Sequence, residues 1–194
     1  MSGDLAYQDD LQEKRRVETI GGEVVAMSPR PAWNHNRVSS NIFRIFDNYL
    51  YGKECTPIAD GTDLFLDDDD RFVPDFMVVC DTDKIRPDGV HGTPDLVVEV
   101  LSPSTAKNDR TRKLEAYARC GVREYWIVDP SSKIIEIYRS DGTGFVLHDV
   151  YALHPDWQIA QMSEEERAAR ITHFKCSLFD DLEIPLEGVF YRTI

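Results

Sequence analysis

Asp75 and Glu99 stand 24 residues apart, each in a segment that reads as a strand, and Lys113 lies on the helix that follows the second. Neighbouring strands run about 5 Å apart, so two inward carboxylates at matching heights can share one divalent cation. Mg²⁺ is commonly held by one or two carboxylates and keeps several waters. Such an ion polarises a phosphodiester and makes an attacking water more acidic. The competing reading pairs both acids with Arg or Lys at the surface. Glu99 weighs against it, because a carboxylate inside an apolar strand is costly unless it is paired or bound to a metal. Lys113 is the first candidate partner for that charge. It can instead pair with Asp109 one helical turn earlier, for a few tenths of a kcal/mol, or Asp109 can orient Lys113 toward Glu99.

The elements that must position these groups run from Thr93 to Pro130 as strand, loop, helix, turn and strand. Asp95 to Leu101 is short, rich in Val and Leu, and bounded by Pro94 and Pro103, the pattern of a buried strand. Asn108 is the expected N-cap of the next helix, Leu114, Tyr117 and Ala118 its packed stripe, and Gly121 its C-cap. Tyr125 to Val128 is a second apolar strand. Phe72 to Cys80 forms the strand that carries Asp75, just after Pro74. Asp95 shares the Glu99 strand but sits roughly 13 Å away along it, so it caps the strand end rather than joining the pair.

Upstream, Ile20 to Met27 reads as a strand entered through Gly21-Gly22 and closed by Ser28 to Pro31, after a polar helix or arm over residues 1–18. Asn34 is a plausible N-cap for a helix whose Val38, Ile42, Ile45, Phe46 and Tyr49 recur on one face. His35, in its first turn, is either a surface residue or a polar contact near the site. Lys53 to Ile58 and Asp63 to Leu66 read as strands. Asp67 to Asp70 lacks the spacing of a calcium loop and reads as a solvated turn, and residues 81–93 as a polar loop. Lys133 to Tyr138 alternates as a hairpin partner for Phe145 to His148. Ser163 to Glu166 has the form of a capping box opening a helix through Arg170, and Phe179 to Phe190 is expected to pack back on the sheet or on a partner chain.

At 194 residues the chain has the length of one domain. Its formal net charge of -13 argues against gripping nucleic acid over the whole surface. The stretch from Lys107 to Arg123 reverses that sign, with Lys107, Arg110, Arg112, Lys113, Arg119 and Arg123 against only Asp109 and Glu115. No apolar run nears the roughly 20 residues that span a bilayer, and the N-terminus lacks a signal-peptide core. A cytoplasmic protein with no membrane partner is therefore expected. Cys55, Cys80, Cys120 and Cys176 form no CxxC pair, so free thiols are expected.

VPD at 73–75, PDLVVEVLSPST at 94–105, then Asp109, Lys113, Tyr117 and GVREYWIVDP at 121–130 closely resemble the Uma2 family of the PD-(D/E)XK nuclease superfamily. The likeness covers roughly residues 18 to 140, and IGGEVVAMSPRP with the helix beginning near His35 also fits it. It implies an α+β (α/β) fold: a restriction-endonuclease-like core of mixed β-sheet flanked by helices, with an N-terminal hairpin and helix extension. It further implies one domain over 1–194, with a core at about 18–140 and a C-terminal extension at 141–194. Carried over by motif, Asp75 and Glu99 bind Mg²⁺ or Mn²⁺, with the Val100 backbone carbonyl as a further ligand. Where the superfamily places Lys two residues after the second acid, this chain has Leu101, and the role passes to Lys113. Lys107, Arg110 and Arg112 would contact phosphates, with His35, Asp109 and Tyr117 around the site. The expected activity is a Mg²⁺-dependent endodeoxyribonuclease, with DNA as substrate and a homodimer as the assembly. The alternative is a non-catalytic module that binds nucleic acid or a protein partner on the same scaffold.

Overall fold

The structure, a computed structural model, describes residues 17–26 and 32–194. Its centre is β9 (Leu96–Val100), whose five residues are all buried. Side chains alternate across a strand, so Leu96, Val98 and Val100 face one layer while Val97, Glu99 and Leu101 face the other. Both faces of β9 are therefore covered, and the one charge among these residues is enclosed with the rest.

The first layer is helix α1 (Trp33–Leu50), which buries Val38, Ile42, Phe46 and Leu50 against that sheet face. Phe46 lies 5.0 Å from the Phe76 ring and 5.8 Å from the Trp126 ring, centroid to centroid. The helix starts at Trp33, so Asn34 lies inside it; the Asn34 amide bonds the backbone of Ile194 instead of capping α1. The expected closure of the preceding strand at Ser28 to Pro31 lies outside the described residues, as do residues 1–16 of the expected N-terminal arm; Val17 and Glu18, expected in that arm, are strand.

Six strands form the main sheet in the order β12-β11-β10-β9-β6-β3. They are β3 (Thr56–Ala59), β6 (Phe76–Val79), β9, β10 (Glu124–Asp129), β11 (Ile134–Ser140) and β12 (Phe145–Ala152). β9 and β10 are parallel, joined over one face by α2 (Ala106–Arg110) and α3 (Arg112–Arg119), and the other pairs are antiparallel. α2 begins two residues before Asn108, with Thr105 as N-cap, because Ser102 and Thr105 bond each other's backbone and side chains and open the helix early, and the single helix expected here breaks at Thr111 into α2 and α3. α3 ends as expected: Gly121 has φ +83°, and the Gly121 and Val122 N–H groups bond back to Ala118 and Tyr117 in a Schellman motif.

A second six-stranded sheet covers the Glu99 face, in the order β2-β1-β5-β4-β8-β7. It uses β1 (Val17–Ile20), β2 (Glu23–Ala26), β4 (Leu64–Phe65), β5 (Arg71–Phe72), β7 (Ile85–Arg86) and β8 (Gly89–His91). Gly21-Gly22, both at positive φ, are the turn of a β1–β2 hairpin rather than the entry to a single strand. The expected 72–80 strand divides at Val73 to Asp75, with β5 in this sheet and β6 in the main one. Residues 81–93 are not a loop throughout: β7 and β8 extend the sheet, β8 running parallel to β4. Asp70 departs from a solvated turn. It is buried, accepts the Gly21 N–H at 2.6 Å and pairs with Arg119.

The C-terminal part packs back on the main sheet as expected. α4 (Asp156–Gln161) and α5 (Glu164–Ala168) precede β13 (His173–Lys175), β14 (Glu183–Pro185) and α6 (Leu186–Val189). Ser163 forms the capping box of α5, which ends at Ala168. Phe174, Ile184, Leu186, Val189 and Phe190 join the α1 core. Two cysteines depart from the free-thiol expectation: Thr56 is opposite Val79 in the β3–β6 pair, which brings Cys55 and Cys80 together at the strand ends, where they form a disulfide. Cys120 and Cys176 are free. Among the described residues no helix is long and apolar enough to cross a membrane.

Candidate active site

The register of β6 on β9 sets the two acids. Phe76 is opposite Val98, and one more step along the ladder puts Asp75 opposite Glu99, on one sheet face. The same step puts Pro74 opposite Val100. Proline has no N–H to give the ladder, and the Val100 N–H turns to Asp75 Oδ2 at 2.7 Å. The N–H and C=O of a strand residue point to the same edge, so the Val100 carbonyl also faces the Asp75 side.

Lys113 enters from the first turn of α3 and is 3 % exposed. Its Nζ lies 2.8 Å from Glu18 Oε1, 3.1 Å from Glu99 Oε1 and 3.5 Å from Asp109 Oδ1. Tyr117, one turn further on, donates its hydroxyl to the same Glu99 oxygen at 2.8 Å. Glu18 also accepts the Val73 N–H at 3.0 Å, tying β1 to the segment that carries Asp75. His35 Nε2 sits 3.2 Å from Asp75 Oδ1, and Ser39 Oγ donates to the Asp75 carbonyl. Asp75, Glu99, Lys113, Asp109, Tyr117 and His35 are thus brought together.

Glu18 is the residue that reading left out. Its signal was present: a Gly-Gly hairpin turn at 21–22 makes 17–20 a strand, and two-residue alternation puts Glu18 on the face of buried Ile20.

Four buried carboxyl groups therefore face one lysine and one histidine. Burial drives the Glu99 carboxyl well above the ordinary range, against the pull of Lys113. Burial raises Asp109 in the same way, against the pull of Lys113 and Thr105. Burial acts to lower Lys113, but Glu99, Glu18 and Asp109 outweigh it and hold the ammonium well above its usual range. His35 is likewise raised, Asp75 overcoming burial. Burial raises Tyr117, which stays a neutral donor.

Uncompensated buried acid of this kind fits a hard cation. Among the described residues no group of three or more His, Cys, Asp and Glu side chains is arranged to hold a metal ion, so any ion would rest on fewer side chains. Asp75 and Glu99, with the Val100 carbonyl, are the groups that could hold such an ion, which would keep several waters of its own.

The basic stretch reads differently in three dimensions. Arg110 pairs with Glu136, Arg112 with Glu23 and the Ile20 carbonyl, Arg119 with Asp67 and Asp70, and Arg123 with Asp95. Lys107 is exposed on α2. Asp95 caps the Cys80 N–H at 2.9 Å, apart from the Glu99 cluster.

A mixed sheet with paired acids at the end of adjacent strands and a lysine on the next helix defines a restriction-endonuclease-like architecture. A solved "putative nuclease belonging to DUF820" from Anabaena variabilis shares this fold, with a TM-score of 0.67 at 18% identity over 91% of this chain and 90% of that one. The chain belongs to the Uma2 family, described as "Putative restriction endonuclease", whose pattern matches residues 5–169. It is similar to two proteins of Synechocystis sp. One is "Uncharacterized protein slr1290", 28% identical over 171 residues, covering 86% of this chain and 83% of that protein. The other is "Uncharacterized protein sll1609", 27% identical over 139 residues, covering 70% and 78%.

Proposed function

We propose that this chain is a metal-dependent endonuclease, a single restriction-endonuclease-like domain over 1–194 that hydrolyses phosphodiester bonds of DNA in the cytoplasm and works as a homodimer. The observation that carries the reading is the convergence of Glu18, Glu99 and Asp109 on Lys113, with Asp75 on the neighbouring strand bonded to the Val100 N–H. Asp75, Glu99 and the Val100 carbonyl would hold Mg²⁺ or Mn²⁺, which when bound supplies Lewis-acid polarisation of the phosphate and a more acidic water.

The chain's own groups prepare that site. His35 and the Val100 N–H fix the two oxygens of Asp75. Lys113 and Tyr117 fix Glu99 through one oxygen and favour its ionised form. Lys113 keeps its proton, so it serves as a fixed positive charge near the reacting phosphate and not as a general base. Lys107, exposed on α2, would contact a flanking phosphate. Arg110 and Arg112 would do so only while shared with Glu136 and Glu23.

One observation favours the non-catalytic alternative: three carboxylates already surround the Lys113 ammonium. Incubation with supercoiled plasmid, single-stranded DNA and RNA, in Mg²⁺, Mn²⁺ or EDTA, separates the two. The nuclease reading expects cutting that needs the metal and disappears in Glu99→Ala. Cutting that survives Glu99→Ala or EDTA rejects it, and strand binding with no cutting in any metal supports the alternative.

A further inference from the structure

We propose that the outer face of α1, with the C-terminal residues 191–194, is a docking surface for an unpaired nucleic-acid strand, an inference that rests on the nucleic-acid reading above. Trp33, Arg37 and Arg44 recur at helical spacing on the side of α1 away from the core. The C-terminal segment lies along them. Arg37 Nε donates to the Tyr191 carbonyl and Trp33 Nε1 to the Arg192 carbonyl, both at 3.4 Å. The guanidinium groups of Arg44 and Arg192 sit 5.7 and 5.2 Å from the Tyr191 ring centre. Trp33 is 60 % exposed and Tyr191 45 %.

The charge of this patch is what sets it apart. The arginines of the 107–123 stretch are tied to carboxylates, whereas among the described residues Arg37, Arg44 and Arg192 pair with none. A chain of net charge -13 thus keeps three arginines unneutralised beside an exposed indole. Arginines that follow a backbone beside an aromatic platform are the elements of single-strand binding. Trp33 offers the stacking face, while Tyr191 holds two guanidinium groups for phosphate. A second copy of the chain fits the patch poorly, because a two-fold contact would set these arginines against themselves. His35, on the opposite side of the same helical turn, touches Asp75. A helix is about 10–12 Å across, so the patch and the acids lie on opposite sides of α1.

The test is fluorescence anisotropy in EDTA, where nothing is cut, with a labelled single-stranded DNA, the same sequence as RNA, and its duplex. The proposal expects single strands to bind more tightly than duplex. It expects the Arg37→Ala/Arg44→Ala/Arg192→Ala variant to weaken binding at least tenfold and to flatten the salt dependence by about 0.7 per arginine. Trp33→Ala should weaken it about fivefold to a hundredfold. Arg86→Ala, on a remote edge strand, controls for lost charge and should change affinity less than twofold. If the triple variant melts lower than wild type, Arg44→Glu repeats the test with one exposed side chain. Unchanged affinity in the triple variant, equal loss in Arg86→Ala, or no strand binding at low salt overturns the proposal, as does a change of oligomeric state without a change in strand affinity. Metal-dependent cutting by variants that bind like wild type would sink the surface and leave the nuclease standing. Variant-sensitive binding without cutting would do the reverse.

Discussion

Glu99 and Glu124 are both glutamates buried in the central parallel pair of strands, and they have opposite surroundings. Glu124 opens β10 on the α1 face. It accepts Trp126 Nε1 at 2.6 Å, Arg139 Nε at 2.9 Å and the Ser177 N–H at 3.0 Å. Each lone-pair direction it uses meets a donor, and the result ties β11 and the C-terminal segment to the sheet. Glu99 lies on the other face, opposite Ile127 in register. It shares one ammonium with Glu18 and Asp109 and has Asp75 beside it. Buried charge costs several kcal/mol unless fully paired, so the first arrangement reads as a structural lock and the second as a site left short of positive charge. On the proposed reading, a bound cation would compensate the second.

The largest expected effect tests the shortage itself. Lys113→Met leaves Glu18, Glu99 and Asp109 without their ammonium and should cost about 3–5 kcal/mol at neutral pH by denaturant titration. Lowering the pH should recover part of the loss as the acids take up protons; a loss under 1 kcal/mol would mean the cluster is not held by this charge. Glu124→Ala should come next, at about 3 kcal/mol, since it strands a buried indole N–H and a guanidinium, yet metal-dependent cutting should persist. Glu99→Gln should be the converse: stability within about 1 kcal/mol of wild type or above it, since an acid is removed from an acid-rich cluster, with cutting abolished. Equal stability losses in the Glu99 and Glu124 variants would erase the contrast.

The gentlest test uses pH. Glu99 and Asp109 are raised by burial in the folded chain, so the folded state holds protons that the unfolded state has released. Stability therefore falls as pH rises above about 4, the ordinary carboxyl value. His35, raised by Asp75 against its burial, adds a contribution present below its ordinary value of about 6.5 and lost as pH climbs through its raised one. The metal-free protein should thus melt lower at pH 8 than at pH 5.5, and Glu99→Gln should reduce that difference. A melting temperature that rises over this range would contradict the assignment.

Much of this was legible in the sequence because it is local. The β9 strand, the helix bearing Lys113, Gly121 as its terminator and the α5 capping box all follow from short patterns. Asp75 and Glu99 stood out because an acid in an apolar strand demands a reason. The sequence was silent where partners are distant. Arg110, Arg112, Arg119 and Arg123 looked like one basic face, but their carboxylates arrive from Glu136, Glu23, Asp67, Asp70 and Asp95, which no local spacing reveals. Cys55 and Cys80 meet only through strand register. Glu18 was hidden because residues 1–18 read as a polar helix or arm, with the strand starting only at Ile20.

The central claim is that the Glu99 cluster, and not the Glu124 one, is built to take a cation. Calorimetric titration of Mn²⁺ into wild type, Asp75→Asn, Glu99→Gln and Glu124→Gln tests it directly. The account predicts binding in wild type and Glu124→Gln and its loss in the other two. No binding by wild type, or binding that survives both Asp75→Asn and Glu99→Gln, would contradict it.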